Sequence, residues 1–124
     1  METADVMGWV REYERAWRDQ DVAAVERLFT EDALYLRGAY DEGLRGRAAI
    51  AEFWLDPTPF TMSAEPVAVA PPMAVVRVEV QYLGDDPHEF RDLWVMRFAA
   101  DGRAEHFEEW AHWPGLEYAG PGAD

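Results

Sequence analysis

The 124-residue chain contains no cysteine, no lysine and no asparagine, and it has one serine (Ser63) and one isoleucine (Ile50). Without cysteine there is no disulfide, thiolate nucleophile, zinc–thiolate site or cysteine-ligated iron–sulfur cluster. Without lysine there is no Schiff base, no covalently attached pyridoxal phosphate and no phosphate-binding P-loop. Ser63 stands in the stretch Thr61-Met62-Ser63-Ala64, which lacks the glycines of a nucleophile elbow, so a serine triad is set aside. All basic residues are arginine, and this avoidance of AT-rich codons points to a high-GC bacterial genome.

Positive charge is also scarce. Eleven arginines face 25 acidic residues, a formal net charge of −14. Such a surface repels nucleic-acid phosphates and is not drawn to anionic membranes. No apolar run approaches the length of a signal segment or a membrane span, and the first residues, Met1-Glu2-Thr3-Ala4-Asp5, are acidic. The expected compartment is the cytoplasm.

What remains is a core-forming composition. Hydrophobic residues make up 49% and aromatic residues 14%, with six tryptophans, enough for one packed domain rather than an acidic disordered tail. The groups left for proton chemistry are Asp, Glu, Tyr and the three histidines His88, His106 and His112. An enzyme built from these works by acid–base chemistry or through binding.

The chain reads as helices first and strands after. Val6, Val10, Tyr13 and Trp17 form one stripe of an amphipathic helix. Asp21 is placed as the N-cap of a second, short helix with Val25, Leu28 and Phe29 inward. Residues 33–36 read as a short strand, 38–46 as a glycine-containing loop and 47–54 as a third helix stopped by Asp56-Pro57. A proline-rich passage (Pro57, Pro59, Pro66, Pro71, Pro72) leads to residues 74–83, where Val76, Val78, Val80 and Tyr82 alternate with Arg77, Glu79 and Gln81. A turn at 84–87, a strand at 90–98, a hairpin at Asp101-Gly102 and a strand at 103–113 complete the meander. The tail after Leu116, rich in glycine and proline, is expected to fray, leaving an ordered core of about 6–113. This order implies an α+β domain with three N-terminal helices on one face of a curved antiparallel sheet.

The run Arg27-Leu28-Phe29-Thr30-Glu31-Asp32-Ala33, the helix Gly46-Arg47-Ala48-Ala49-Ile50-Ala51-Glu52-Phe53-Trp54 and the hairpin from Trp94-Val95-Met96-Arg97-Phe98 through Asp101-Gly102-Arg103 to Glu109-Trp110 resemble the nuclear-transport-factor-2-like superfamily. Its members include SnoaL-like polyketide cyclases, ketosteroid isomerases and limonene-epoxide hydrolases. The resemblance covers about 6–113. It implies a cone-like, cystatin-type α+β roll with an apolar pocket, and it implies little about chemistry, since one fold hosts many reactions. Tyr13 falls where ketosteroid isomerases keep an oxyanion-binding tyrosine. Their general base aligns with Arg37 and their protonated acid with Trp94, so steroid isomerisation by that mechanism is disfavoured. The acid of the SnoaL-like cyclases, counted without gaps from the Asp-Gly turn, lands on Glu109, and its neighbouring histidine on Phe107. Aligning Glu105-His106 with the cyclase dipeptide instead would shift the register by one and turn Glu108 inward. The gapless count is preferred, because a one-residue slip exchanges the two faces of a strand. For the Asp–Arg–Asp arrangement of the epoxide hydrolases, Asp92, Arg37 and Glu109 offer a looser counterpart.

In the gapless register Glu105, Phe107, Glu109 and Ala111 share the inward face of the last strand. Glu109 is then a carboxyl in an apolar cavity, its pKa raised toward neutrality and its proton available for catalysis. The structural alternative pairs it with Arg37, Arg91 or Arg97. Asp92 shares a strand face with Phe90, Trp94 and Met96, either as a pocket acid or as the partner of an arginine. Tyr13 is either a core residue with a polar tip or a hydrogen-bonding partner in the site. Trp17, Trp94, Phe107, Arg37 and Glu105 are the candidate substrate contacts, with neutralisation of an inward acid the favoured role of Arg37. His106, Glu108 and His112 lie along one strand face, but positions six apart are roughly 20 Å apart, so no metal site is expected. His88, in its turn, is expected to be solvated.

These readings converge on a cofactor-independent acid–base enzyme (isomerase, cyclase, dehydratase or hydratase) for a hydrophobic carbonyl, enol or epoxide. Glu109 would be its base or acid, with Asp92 and Tyr13 as partners. The alternative is a non-catalytic ligand-binding or dimeric assembly domain of the same fold. Leu93, Val95 and Trp110 on the sheet's outer face make a homodimer the expected assembly.

Overall fold

The structure is a computed structural model and describes residues 1–54 and 56–116. The expected fraying of the tail concerns 117–124, which lie outside the described residues. The elements are α1 (Thr3–Asp19), a 3-10 turn (Val22–Ala24), α2 (Val25–Leu28), β1 (Phe29–Leu36), β2 (Leu44–Arg45), α3 (Arg47–Phe53), β3 (Phe60–Ala70), β4 (Met73–Tyr82), β5 (His88–Phe98) and β6 (Ala104–His112). Three α-helices therefore pack on one six-stranded sheet of order β2-β1-β6-β5-β4-β3.

Helix α1 starts where the Glu2 backbone N–H donates to the Asp5 carboxylate at 2.7 Å, satisfying a donor the helix cannot. Its buried side is Val6, Trp9, Val10, Tyr13 and Ala16, with Trp17 half-buried. Trp9 donates its indole N–H to the Leu28 carbonyl at 2.9 Å, tying α1 to α2. Asp21 stands at the N-cap position of the turn after it, as expected, but its side chain makes no capping hydrogen bond. Its carboxylate accepts from Arg15 at 3.0 Å and lies 3.6 Å from Arg27, so two guanidiniums outcompete the backbone.

Three features of the sheet differ from the expected meander. Strand β1 runs parallel to β6, while the other pairings are antiparallel, so the sheet is mixed. Alternation and turn signals report hairpin neighbours, and β1 meets β6 only after most of the chain has passed between them. Second, β2 forms inside the stretch read as a loop. At Gly43 the backbone turns with φ +93°, and a Cβ there would come within 2.6 Å of a Leu34 methyl, so this close return needs glycine. Third, part of the proline-rich passage is an eleven-residue strand, β3. Pro66 pairs opposite Val76, with a register shift before Ala68. Strand β3 is an edge and Pro66 sits at its register shift, both places where a strand tolerates a proline and its missing N–H.

The core lies between the helices and the sheet's inner face. Val76, Val78 and Val80 of β4, Trp94, Met96 and Phe98 of β5 and Phe107 of β6 are buried there. Trp9 meets Phe29 and Phe98 edge-on, each at 5.6 Å. No helix of the described residues is long and apolar enough to cross a membrane.

Candidate active site

Toward one end the core opens into a cavity of about 290 Å³, at the small end of the range of ligand pockets (about 300–1,000 Å³). Its walls come from α1 (Tyr13, Trp17), β1 and its end (Tyr35, Arg37), α3 and its end (Phe53, Trp54), β4 (Val80, Tyr82), β5 (Phe90, Asp92, Trp94) and β6 (Glu109, Ala111), with Asp56 and Trp113 beyond. Strand pleating sets the polar groups. Trp94 stands opposite Glu109, and Asp92 opposite Ala111, so the two acids lie diagonally on neighbouring strands and face the same space.

A hydrogen-bonded chain crosses the cavity's inner wall. Tyr35 donates its hydroxyl to Glu109 Oε1 at 2.6 Å, and the Tyr13 and Tyr35 hydroxyls are 2.6 Å apart. With the Tyr35 proton committed to the carboxylate, Tyr13 donates to Tyr35. Burial and the Glu109 charge hold both tyrosines well above the ordinary phenol range, so both remain donors. Burial pushes Glu109 up to about 7; the Asp92 charge adds to the rise, while the Tyr35 hydrogen bond and Arg37 oppose it. Burial likewise pushes Asp92 up to about 6, opposed by a long 3.4 Å hydrogen bond from the Trp94 indole N–H. Asp92 is only 7% exposed, and its Oδ1 has no hydrogen-bond partner among the described residues.

The candidates drawn from the sequence divide cleanly. Glu109, Asp92, Tyr13, Trp94, Trp17 and Arg37 all line the cavity. Glu105 does not. A register shift between Arg97 and Phe98 sets Ala104 and Phe107 both inward, and Glu105 pairs with Arg97 at 2.7 Å on the exposed side. Phe107 also lies outside the lining; it is fully buried, stacked on Tyr35 at 4.5 Å and on Tyr13 at 5.7 Å. It supports the two tyrosines from behind. Arg37 neutralises no inward acid by contact, because Asp41 accepts from it at 2.8 and 3.0 Å. Asp92, Arg37 and Glu109 thus share a cavity, with the arginine already engaged. Glu109 itself forms no salt bridge among the described residues, since Arg91 faces Glu79 and Arg97 faces Glu105. Glu108 lies on the other face, accepting from His106 at 2.7 Å and Trp110 at 2.9 Å.

Tyr35 was missed by the sequence reading, although its signal was present. It sits two residues before Arg37, and strand alternation puts the two on one face. Trp54 reads as core or cavity lining and Tyr82 as sharing the strand face of Val76, Val78 and Val80, and both line the cavity; Asp56 carries no such pointer. Among the described residues no group of three or more His, Cys, Asp or Glu side chains is arranged to hold a metal ion.

The SnoaL-like domain profile matches residues 10–107, a span that includes Tyr13, Tyr35, Asp92 and Trp94 and stops just short of Glu109. No curated protein matches the sequence. Among solved structures the chain is similar to SalBIII, an epoxide hydrolase/cyclase-like enzyme with a role in pyran ring formation in polyether salinomycin. The TM-score is 0.73 at 19% identity, over 86% of this chain and 89% of that one. It is similar to Rv0760c from Mycobacterium tuberculosis with a TM-score of 0.72 at 13% identity, over 86% and 93%. A ketosteroid isomerase-like protein from Erwinia carotovora atroseptica gives 0.66 at 20% identity, over 90% and 96%. At these identities the likeness is one of fold. The profile, by contrast, spans most of the chain and holds most of the cavity's polar groups, and on that ground the protein belongs to the SnoaL-like family.

Proposed function

We propose that the cavity is the active site of a cofactor-independent acid–base enzyme for a hydrophobic carbonyl, enol or epoxide. The observation that carries this reading is geometric: the Glu109 carboxyl, fixed by Tyr35 at 2.6 Å, faces the same small cavity as Asp92, and burial pushes the two carboxyls up to about 7 and about 6. Burial raises both carboxyls and the charge of Asp92 raises Glu109 further, so the pair retains a proton toward neutral pH and one member can serve as the acid while the other serves as the base. Tyr35 occupies Oε1, which leaves Oε2 to carry the proton.

Of the three substrate classes the epoxide fits best. Opening its ring places positive charge on carbon, which carboxylates and aromatic rings stabilise, whereas an enolate oxygen would develop beside two acids with Arg37 engaged elsewhere. Glu109 protonates the ring oxygen as its C–O bond breaks. A water or a hydroxyl of the substrate forms the new C–O bond and gives its proton to Asp92. Hydration yields a diol and internal attack a cyclic ether; returning the proton from Asp92 to Glu109 resets the site. Acid–base groups of this kind contribute about 10²–10⁴-fold in rate. The resemblance to an epoxide hydrolase/cyclase-like enzyme supports the choice at the level of fold.

The test is product formation from a panel of small aryl epoxides and enolisable ketones, with ¹⁸O-water marking hydration. Turnover that falls at least about a hundredfold in Glu109→Gln at unchanged fold supports the reading. Compounds that bind in the cavity and are all returned unchanged would leave a binding domain instead. The proposal places a second copy of the chain on the outer face, where Leu93 and Trp110 are cross-strand neighbours, 39% and 52% exposed. Sedimentation of the wild type as a monomer at high concentration would remove that part.

A further inference from the structure

We propose that the same cavity is selective for positive charge, so that a small apolar ammonium compound binds between Asp92 and Glu109 more tightly than a neutral compound of the same size, and carboxylates or phosphates of that size are refused. The proposal rests on reading this cavity as the ligand site, and not on any turnover.

Three observations carry it. Asp92 is more than nine-tenths buried and lines the cavity, yet Oδ1 has no partner. A buried acceptor left unpaired is unfavourable, and an N–H donated by a ligand would give it a partner. The charges around it are one-sided. Asp56, Asp92 and Glu109 all line the cavity, against Arg37 alone, and Arg37 is bound by Asp41 through two hydrogen bonds of 2.8 and 3.0 Å. Finally, the remaining wall is aromatic, with Trp17, Tyr82, Trp94 and Trp113 among its members. The faces of such rings attract a cation, more strongly when it is shielded from water. The net charge of −14 adds attraction at long range.

Binding should also move protons. Tyr13 of α1, Tyr35 of β1 and Tyr82 of β4 face the acids, and burial holds all three above the ordinary phenol range. Arg37 is held further toward its charged form by Asp41, and Asp56 by its hydrogen bonds from Thr58. Glu109 and Asp92 are the cavity carboxyls that burial raises toward neutral pH, so an amine that favours their charged forms displaces protons from them; His88, stacked on Tyr82 at 4.7 Å, is the imidazole next to this wall.

The test is calorimetric titration of the full chain with benzylammonium, benzyl alcohol and benzoate at pH 6.5 and 150 mM salt, in two buffers of different ionisation heat. The expected result is benzylammonium binding at least about tenfold tighter than benzyl alcohol, benzoate undetectable, and proton release on binding of the amine. Asp92→Asn and Glu109→Gln should each narrow the gap between amine and alcohol, with near-UV circular dichroism confirming the fold of each variant. Three outcomes overturn the proposal: no amine binding at millimolar concentration, benzoate or benzyl alcohol equal to the amine, or amine binding that survives both substitutions as surface attraction. A failure here leaves the acid–base function standing, since product formation reads that. Amine binding without turnover of any panel compound would overturn the function alone.

Discussion

Glu108 and Glu109 are adjacent in the chain, identical in chemistry and opposite in behaviour. Strand β6 turns Glu108 to the outer face, where His106 and Trp110 donate to it and hold its carboxyl below the usual range. It turns Glu109 inward, where burial outweighs a single hydrogen bond from Tyr35 and pushes the carboxyl up to about 7. The same contrast holds across the sheet. On the outer side carboxylates meet partners, as Glu105 meets Arg97 and Glu65 meets Arg77. On the inner side Asp92 and Glu109 face aromatic rings and a shared cavity. Solvation and partners, rather than residue type, divide the acids into structural charges and a candidate proton-transfer pair.

The largest effect expected across this divide is on stability. Phe107→Ala, which removes the ring behind Tyr13 and Tyr35, should cost about 3–5 kcal/mol in denaturant unfolding. Trp110→Ala, on the half-exposed outer side, should cost well under about 1 kcal/mol beyond any loss of dimer.

The next effect is on pH dependence. Glu109 rises from 4.5 to about 7 on folding, so the folded state keeps a proton that the unfolded chain has released. The associated stability is complete below about pH 4.5 and is lost as the pH climbs through 7, a span worth about 3 kcal/mol. Asp92, raised from 3.8 to about 6, acts in the same direction over a lower window. Glu109→Gln should therefore flatten the decline between pH 5 and 8, read from urea midpoints at the two pH values. If wild type and variant decline in parallel, Glu109 is ionised normally. On activity, Glu109→Gln should lose at least about a hundredfold, while Glu108→Gln stays within about twofold; equal losses would erase the distinction between the faces.

Tyr35→Phe gives a smaller and more specific effect. It deletes a hydrogen bond that favours the ionised carboxylate, an interaction worth about 1.5–3 kcal/mol in buried settings. The Glu109 midpoint should move upward by about one to two pH units, and the pH–rate profile should move with it. A downward shift would mean that Tyr35 stabilises the protonated form. Least of all, Glu108→Gln should change stability by no more than about 1 kcal/mol, since its partners are half-exposed.

The sequence made much of this division readable. The α1 stripe, the alternation of β5 and the gapless count from the Asp101-Gly102 turn assign Tyr13, Asp92, Trp94 and Glu109 to one space, and those residues line the cavity. What escaped has local causes. The irregularity that sends Glu105 outward carries no glycine or proline to announce it. The capture of Arg37 by Asp41 is a loop contact, invisible to strand periodicity. Strand β3 hid behind its prolines because an edge strand may keep them. The parallel contact of β1 with β6 joins distant parts of the chain, so no turn marks it. Tyr35 lay in a short apolar run where a tyrosine reads as packing; its place two residues before Arg37 was the signal, and its hydroxyl partners give it its role.

The most direct test is the titration of the Glu109 carboxyl itself, followed by ¹³C NMR of protein labelled at glutamate side-chain carboxyl carbons and assigned by the signal missing in Glu109→Gln. The account predicts a midpoint near 7 for Glu109 and one below 4.5 for Glu108 in the same spectra. A Glu109 midpoint near 4.5 would show an ordinary solvated carboxylate and contradict the claim that this cavity holds a proton for chemistry.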